Sequence, residues 1–215
     1  MVKTKAHQLH EHIPPGYYRN GIAGNILQRI WHTARFRNLA DFALPTKGAI
    51  LDIGCADGTF SEVILRSTGA SRFVGIDVVD HLIADNNRYF SQNKNMQFLV
   101  ADAHELPFPD HTFDAVFALE VMEHVENPGK VLQEIKRVLK PTGYIVLMVP
   151  LETLLFRLEW WLFRTFGPAK IWNDTHIQEY GQATLAKMVE ESGFQVVRQR
   201  RFNLGTLEII QAKPQ

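Results

Sequence analysis

Four acidic residues stand where short apolar runs of the 215-residue chain give way to loops. Ala49–Ile53 leads into the loop Asp52–Gly58, Phe73–Ile76 into Asp77, Met96–Val100 into Asp102, and Phe113–Leu119 into Glu120. An acid in such a place can solvate a cationic amine, or accept hydrogen bonds from ribose hydroxyls or an exocyclic amino group. The first loop reads "DIGCADG", and Gly54, Cys55, Ala56 and Gly58 give it the small residues that let a backbone approach a nucleotide. A dinucleotide fits it badly. The G-x-G-x-x-G pattern aligned on Gly54 meets Ala56 and then Thr59, and Asp52 would face a pyrophosphate with the wrong sign. A G-K-[ST] phosphate loop is absent as well. A ligand carrying an ammonium group in place of phosphate suits these acids better. Just past Glu120 come Glu123 and His124, with His176 further on, residue types that can move a proton or hold a divalent ion.

These residues need rigid supports, and the surrounding pattern supplies them. Strand-like runs alternate with helical segments near Gly58–Ser67, Asp80–Phe90 and Pro128–Leu139, and Tyr144–Val149 forms a fifth strand. Asn127 and Pro128 are a helix start signal, with Val131, Ile135, Val138 and Leu139 as the buried stripe. The strands are nearly all apolar, as in a parallel sheet covered on both faces. Thr184–Ser192 reads as helix, and "FQVVRQRRF" and "LGTLEIIQA" as two strands of a closing hairpin. The expected fold is α/β: a doubly wound, seven-stranded, mostly parallel sheet with helices on both faces and a C-terminal antiparallel hairpin. In such sheets ligands bind beyond the carboxyl ends of the strands, where the strand order switches. Upstream, Asn20–Ala43 reads as one helix with Ile26, Leu27, Ile30, Trp31 and Ala34 on its apolar face.

Lys plus Arg and Asp plus Glu are both 23, so nothing global favours nucleic acid. Cys55 is the one cysteine, which fits a reducing cytoplasm and reads as a small loop residue rather than a nucleophile. The first residues lack the apolar core of a signal peptide, and the expectation is a soluble cytoplasmic protein.

"ILDIGCADGTF", "FVGID", "FLVADAHELPFPDHTFDAVFALEVMEHVENP" and "EIKRVLKPTGYIVLMVP" resemble, in order and spacing, the motifs of class I S-adenosylmethionine-dependent methyltransferases, in their small-molecule, quinone and lipid branch. The resemblance is close over Ala49–Pro150 and implies a Rossmann-like methyltransferase fold. It implies that Gly54, Cys55, Ala56 and Gly58 line the cofactor and that Asp52 holds its methionine ammonium. Asp77 would take the ribose hydroxyls and Val78 flank the adenine. Asp102 would take the adenine amino group beside Ala103, and Leu119 and Glu120 would line the reactive end. Ala56 departs from the family's usual glycine. Asp52 and Asp77 have a structural alternative as helix caps. Asp114, which begins a strand, reads as structural, and Pro107 and Phe108 as a wall for the adenine. "LEVMEHVEN" also resembles a segment of quinone-ring catechol O-methyltransferases and RNA 3′-end 2′-O-methyltransferases. There Glu120, Glu123, His124 and His176 would hold a divalent metal. Without one, His124 or His176 is the expected base.

Acceptor choice should lie outside this core. Residues 1–45 read as an N-terminal helical extension, with Tyr17 and Tyr18 as a lid, and 46–215 as the methyltransferase domain. The insert 151–172 is rich in Leu, Phe and Trp, with Leu151, Leu154, Leu155, Leu158, Leu162 and Phe166 on one side if helical. It is expected to cap an apolar acceptor, to lie on a membrane surface through 151–166, or to pack in a homodimer. A small or lipid-like acceptor is the expectation. An RNA 2′-O-methyltransferase or a non-catalytic cofactor-binding protein are the alternatives.

Overall fold

Alternation along the strands decides the architecture of this computed structural model, which describes residues 5–157, 161, 165, 177, 178, 180, 181 and 184–215. Five runs form parallel strands: β1 (Ala49–Ile53), β2 (Arg72–Asp77), β3 (Met96–Val100), β4 (Phe113–Leu119) and β5 (Leu139–Pro150). Leu51, Ile53, Val116 and Leu147 pack to one face, against Val131 and Ile135 of α6 (Pro128–Val138) and Leu185 of α7 (Thr184–Glu191). Ile50, Ala115, Phe117 and Val146 pack to the other, against Leu39 and Phe42 of α3 (Ile26–Phe42), Ile64 of α4 (Thr59–Thr68) and Ile83 of α5 (Asp80–Tyr89). Two apolar faces require two covering layers, which is why the sheet is doubly wound.

The strand order is β3-β2-β1-β4-β5-β7-β6, where β6 is Phe194–Phe202 and β7 is Leu207–Pro214. β7 runs antiparallel to β5 and β6 antiparallel to β7, so the hairpin closes the edge as expected. The order switches between β1 and β4, which places the ends of these two strands at the ligand-binding crevice. Asn127 caps α6 by accepting from the Lys130 amide at 3.0 Å, with Pro128 opening the helix. Asn127→Ala should cost about 1 kcal/mol, seen as a lower Tm with cofactor affinity unchanged. Asp114 is structural as expected, accepting from the Ala49 amide at 2.9 Å and pairing with Lys140.

The expectations fail in three places. Asn20–Ala43 is not one helix: α2 (Tyr17–Gly24) ends at Asn25 before α3 begins. Nor is its apolar face buried as expected, since Ile26 and Ile30 are 56% and 63% exposed while His32 and Arg35 turn inward. The reason is tertiary: the C-terminal half of α3 packs on the sheet, and its middle faces a cavity. Finally, β5 does not begin at Tyr144 but at Leu139, directly after α6, and passes through Gly143 with a register shift against β4. Among the described helices none is long and apolar enough to cross a membrane.

Candidate active site

The strand-end acids meet in one cavity. Its lining includes Asp52, Gly54, Cys55 and Ala56 from the first loop, Asp77 and Val78 after β2, Asp102 and Ala103 after β3, and Leu119 and Glu120 at β4. Gly54 (φ +68°) and Gly58 (φ +77°) turn the first loop through left-handed backbone. A Cβ on Gly54 would stand 2.3 Å from Val121 Cγ2, and one on Gly58 2.5 Å from Phe90 Cε2. Ala56 shares this left-handed geometry at φ +44°, a conformation uncommon without glycine. Two side chains hold it: the Ala56 amide donates to Asp77 Oδ2 at 2.9 Å, and Asn86 Nδ2 donates to the Ala56 carbonyl at 2.7 Å.

Asp77 also accepts from the Val79 amide at 3.0 Å, tying the first loop to the start of α5. The helix-cap alternative does not describe Asp52, whose carboxylate accepts from Ser61 Oγ at 2.6 Å inside the site. Burial, opposed by the Ser61 hydrogen bond and reinforced by the Asp77 charge, pushes the Asp52 carboxyl up to about 7. Asp77 is raised too, by burial above all. The Cys55 thiol is raised well above its usual range by burial and then by both carboxylates, which leaves it a neutral loop residue. Asp102 accepts from the His104 amide at 2.9 Å and contacts His104 Nδ1 at 2.7 Å. Phe108 is placed differently from the expectation: half-buried, it packs edge-on against Phe113 at the margin of the core, ring centres 5.0 Å apart, and does not line the cavity.

The N-terminal segment closes over this cradle. Asp57 Oδ2 accepts from the Tyr18 and Arg19 amides at 2.8 and 3.0 Å, so the first loop caps the first turn of α2. Arg19 donates to the Asp57 carbonyl and to Asp85. His81 Nε2 meets the Ile13 carbonyl and His7 Nδ1 the Val78 carbonyl, both at 2.8 Å. His10, Tyr17 and Tyr18 thereby line the cavity.

At the other end of the cavity Arg35 pairs with Glu120 through two contacts of 2.9 Å, Nε to Oε1 and Nη2 to Oε2. Glu120 has φ +57°, a strained backbone of the kind that persists at functional sites. Glu123 is buried, its Oε2 has no hydrogen-bond partner among the described residues, and burial followed by the Glu120 charge lifts its carboxyl well above the usual range. The His124 ring lies edge-on to His10 at 4.6 Å. Of the sequence-predicted catalytic residues the fold thus brings Glu123 and His124 together, and His176 lies outside the described residues. Among the described residues there is no group of three or more His, Cys, Asp or Glu arranged to hold a metal, and Glu120 is already engaged by Arg35. The divalent-metal expectation therefore finds no support in the donor set.

Sequence reading missed His32, Arg35, Asp57 and His104. α3 mixes polar and apolar residues around His32 and Arg35, so its sequence carries no signal that singles these two out. The insert is only partly described. Leu151 and Phe156 are buried, while Leu154 and Trp161 are 87% and 57% exposed, so Leu151 and Leu154 do not share one environment.

Comparison with known proteins agrees with the geometry. A family model for a methyltransferase domain matches residues 27–199. An uncharacterized methyltransferase of Schizosaccharomyces pombe is 29% identical over 60% of this chain, which spans half of that protein's length. A demethylmenaquinone methyltransferase of Staphylococcus aureus is 26% identical, over 94% of this chain and 90% of its own. The crystal structure of the [4+2]-cyclase SpnF superposes with a TM-score of 0.77 at 17% identity, over 100% of this chain and 97% of that one, a likeness of fold that leaves the reaction open.

Proposed function

The chain belongs to the class I S-adenosylmethionine-dependent methyltransferases, and from that premise we propose that it methylates a small or lipid-like acceptor of the quinone type. The observation that carries this reading is the convergence of Asp52, Asp77, Asp102 and Glu120 on one cavity floored by a left-handed glycine loop. These residues fit the cofactor's donor groups in sequence. Asp52 takes the ammonium, Asp77 the ribose hydroxyls and Asp102 the adenine amino group.

The bound cofactor supplies an electrophilic methyl on sulfur. The chain's own part is to align the acceptor in line with that methyl and to keep water out. Tyr17, Tyr18 and His10 do the latter from the N-terminal lid, and His124 stands at the reactive end as the proton acceptor for an acceptor hydroxyl or carbon acid. Two features favour an apolar acceptor over RNA. Arg35, the one Lys or Arg among the described lining residues, is already paired with Glu120, whereas an RNA groove needs unpaired basic residues. Ile26, Ile30, Leu154 and Trp161 also leave apolar surface outside, suited to a lipid-like substrate or to peripheral contact with a membrane.

Calorimetry with S-adenosylhomocysteine tests the cofactor reading, and the Asp52 carboxyl gives it a signature. Since its folded value of about 7 exceeds the ordinary 3.8, the stability it contributes is whole below about pH 4 and is lost as pH rises through about 7. The unliganded protein should therefore lose Tm across that window. An ammonium beside Asp52 forces it to ionise, so binding at about pH 6 should release a proton and binding at about pH 8.5 should not. Asp52→Asn should diminish the release. Failure of the wild-type chain to bind S-adenosylhomocysteine would remove the proposal.

A further inference from the structure

His32 is 3% exposed, and its Nδ1 has no hydrogen-bond partner among the described residues, yet it lines the cavity. Buried polar atoms are nearly always paired, so an unpaired nitrogen on a side chain that lines a binding cavity is a candidate for pairing with the ligand. Three rings fix the imidazole: Tyr18 edge-on at 5.4 Å, Phe36 stacked at 5.7 Å and Phe60 at 6.2 Å. On the proposed assignment the cofactor's ammonium, ribose hydroxyls and adenine amino group have partners in Asp52, Asp77 and Asp102, and the neutral imidazole of His32 suits the second substrate.

The geometry points to His32 as the residue that holds the polar head of the methyl acceptor, and to an acceptor that is an uncharged ring bearing a hydroxyl or carbonyl. This rests on the methyltransferase reading above. Aromatic walls from Tyr18, Trp31 and Phe60 suit a flat body. The neighbouring Arg35 is engaged by Glu120, so it is not left to pair with an anionic substituent. Burial and the Arg35 charge push the imidazole down to about 3, so it stays neutral. It can exchange one hydrogen bond with a hydroxyl or carbonyl but is too weak a base to take the proton, which makes it an acceptor-binding group rather than the general base.

The test uses the full chain saturated with S-adenosylhomocysteine, under anaerobic conditions. It is titrated with 1,4-dihydroxynaphthalene and separately with 1,4-dihydroxy-2-naphthoate, and tryptophan fluorescence is followed. The wild type should bind the neutral diol about ten-fold or more tighter than the carboxylate, with an affinity that is flat from about pH 6 to 8. His32→Phe, which keeps the ring packing, should weaken the diol about ten-fold and leave S-adenosylhomocysteine affinity within about two-fold. His32→Asn should restore most of the diol affinity, and His32→Leu should repeat the loss if the Phe variant does not fold. The proposal is overturned if the wild type does not bind the diol, if it prefers the carboxylate, or if neither apolar variant weakens the diol. It is equally overturned if an apolar variant weakens S-adenosylhomocysteine as much as the diol. S-adenosylhomocysteine binding by the wild type is read independently, so loss of the acceptor proposal is distinguishable from loss of the methyltransferase reading.

Discussion

Asp77→Ala should weaken S-adenosylhomocysteine binding on the order of ten- to a hundred-fold, the largest loss expected from any single cofactor contact. On the proposed role its carboxylate accepts from two ribose hydroxyls, and hydrogen bonds to a charged group contribute about 1.5–3 kcal/mol. A second effect adds to this. The Asp77 carboxylate also accepts from the amides of Ala56 and Val79, and Ala56 is held at φ +44°. Without that partner a non-glycine residue has little reason to stay in left-handed backbone, so the loop beneath the cofactor should relax. Asp77→Asn keeps one acceptor oxygen and should fall between wild type and Ala. Calorimetry gives the affinity, and amide hydrogen exchange over residues 52–60 reports the loop. An Asp77→Ala protein that binds within two-fold of wild type and exchanges normally would rule out this role.

Arg35→Met should be the most destabilising change in the N-terminal extension. The Arg35 and Glu120 side chains are 9% and 25% exposed and meet through two 2.9 Å contacts. Removing one member of a buried pair strands the other; breaking such a pair costs about 3–5 kcal/mol, and solvent at Glu120 reduces this to about 2–4. Glu120 would then face Glu123 without compensation. Met keeps the packing of the aliphatic stem, so the loss reports the charge. Arg35→Lys restores charge but not the two-pronged geometry and should recover only part. The double variant Arg35→Met with Glu120→Gln removes both charges and should regain stability relative to Arg35→Met alone, as a thermal-melt cycle can show. Equal melting of wild type and Arg35→Met would exclude the pair as a structural element.

Legibility in the sequence followed the range of the interactions involved. β1, β3 and β4 have the boundaries their apolar runs imply, and Asn127 caps α6 where the Asn-Pro signal places it. The strand-end acids were legible for the same reason: a residue just past a buried strand has its position set by neighbours in the chain. Phe108 was misread because a hydrophobic residue in a proline-rich loop can reach either a ligand or the core, and here it reaches Phe113.

α3 marks the limit most clearly. Apolar periodicity selects Ile26 and Ile30 as its buried face, and the structure exposes both. His32 and Arg35 turn inward because the strand-end cavity receives them and because Glu120, 85 positions away in the chain, compensates the arginine's charge. By itself the sequence determined most of the strands, the acids at their tips and the glycine loop, since these follow from local hydrophobicity and turn chemistry, and the order of its motifs carried the resemblance that implied the cofactor. Only the tertiary structure decided which polar side chains of α3 enter the cavity. Burying a charge or an imidazole is unfavourable in isolation, and becomes tolerable only beside a partner that folding brings from elsewhere in the chain.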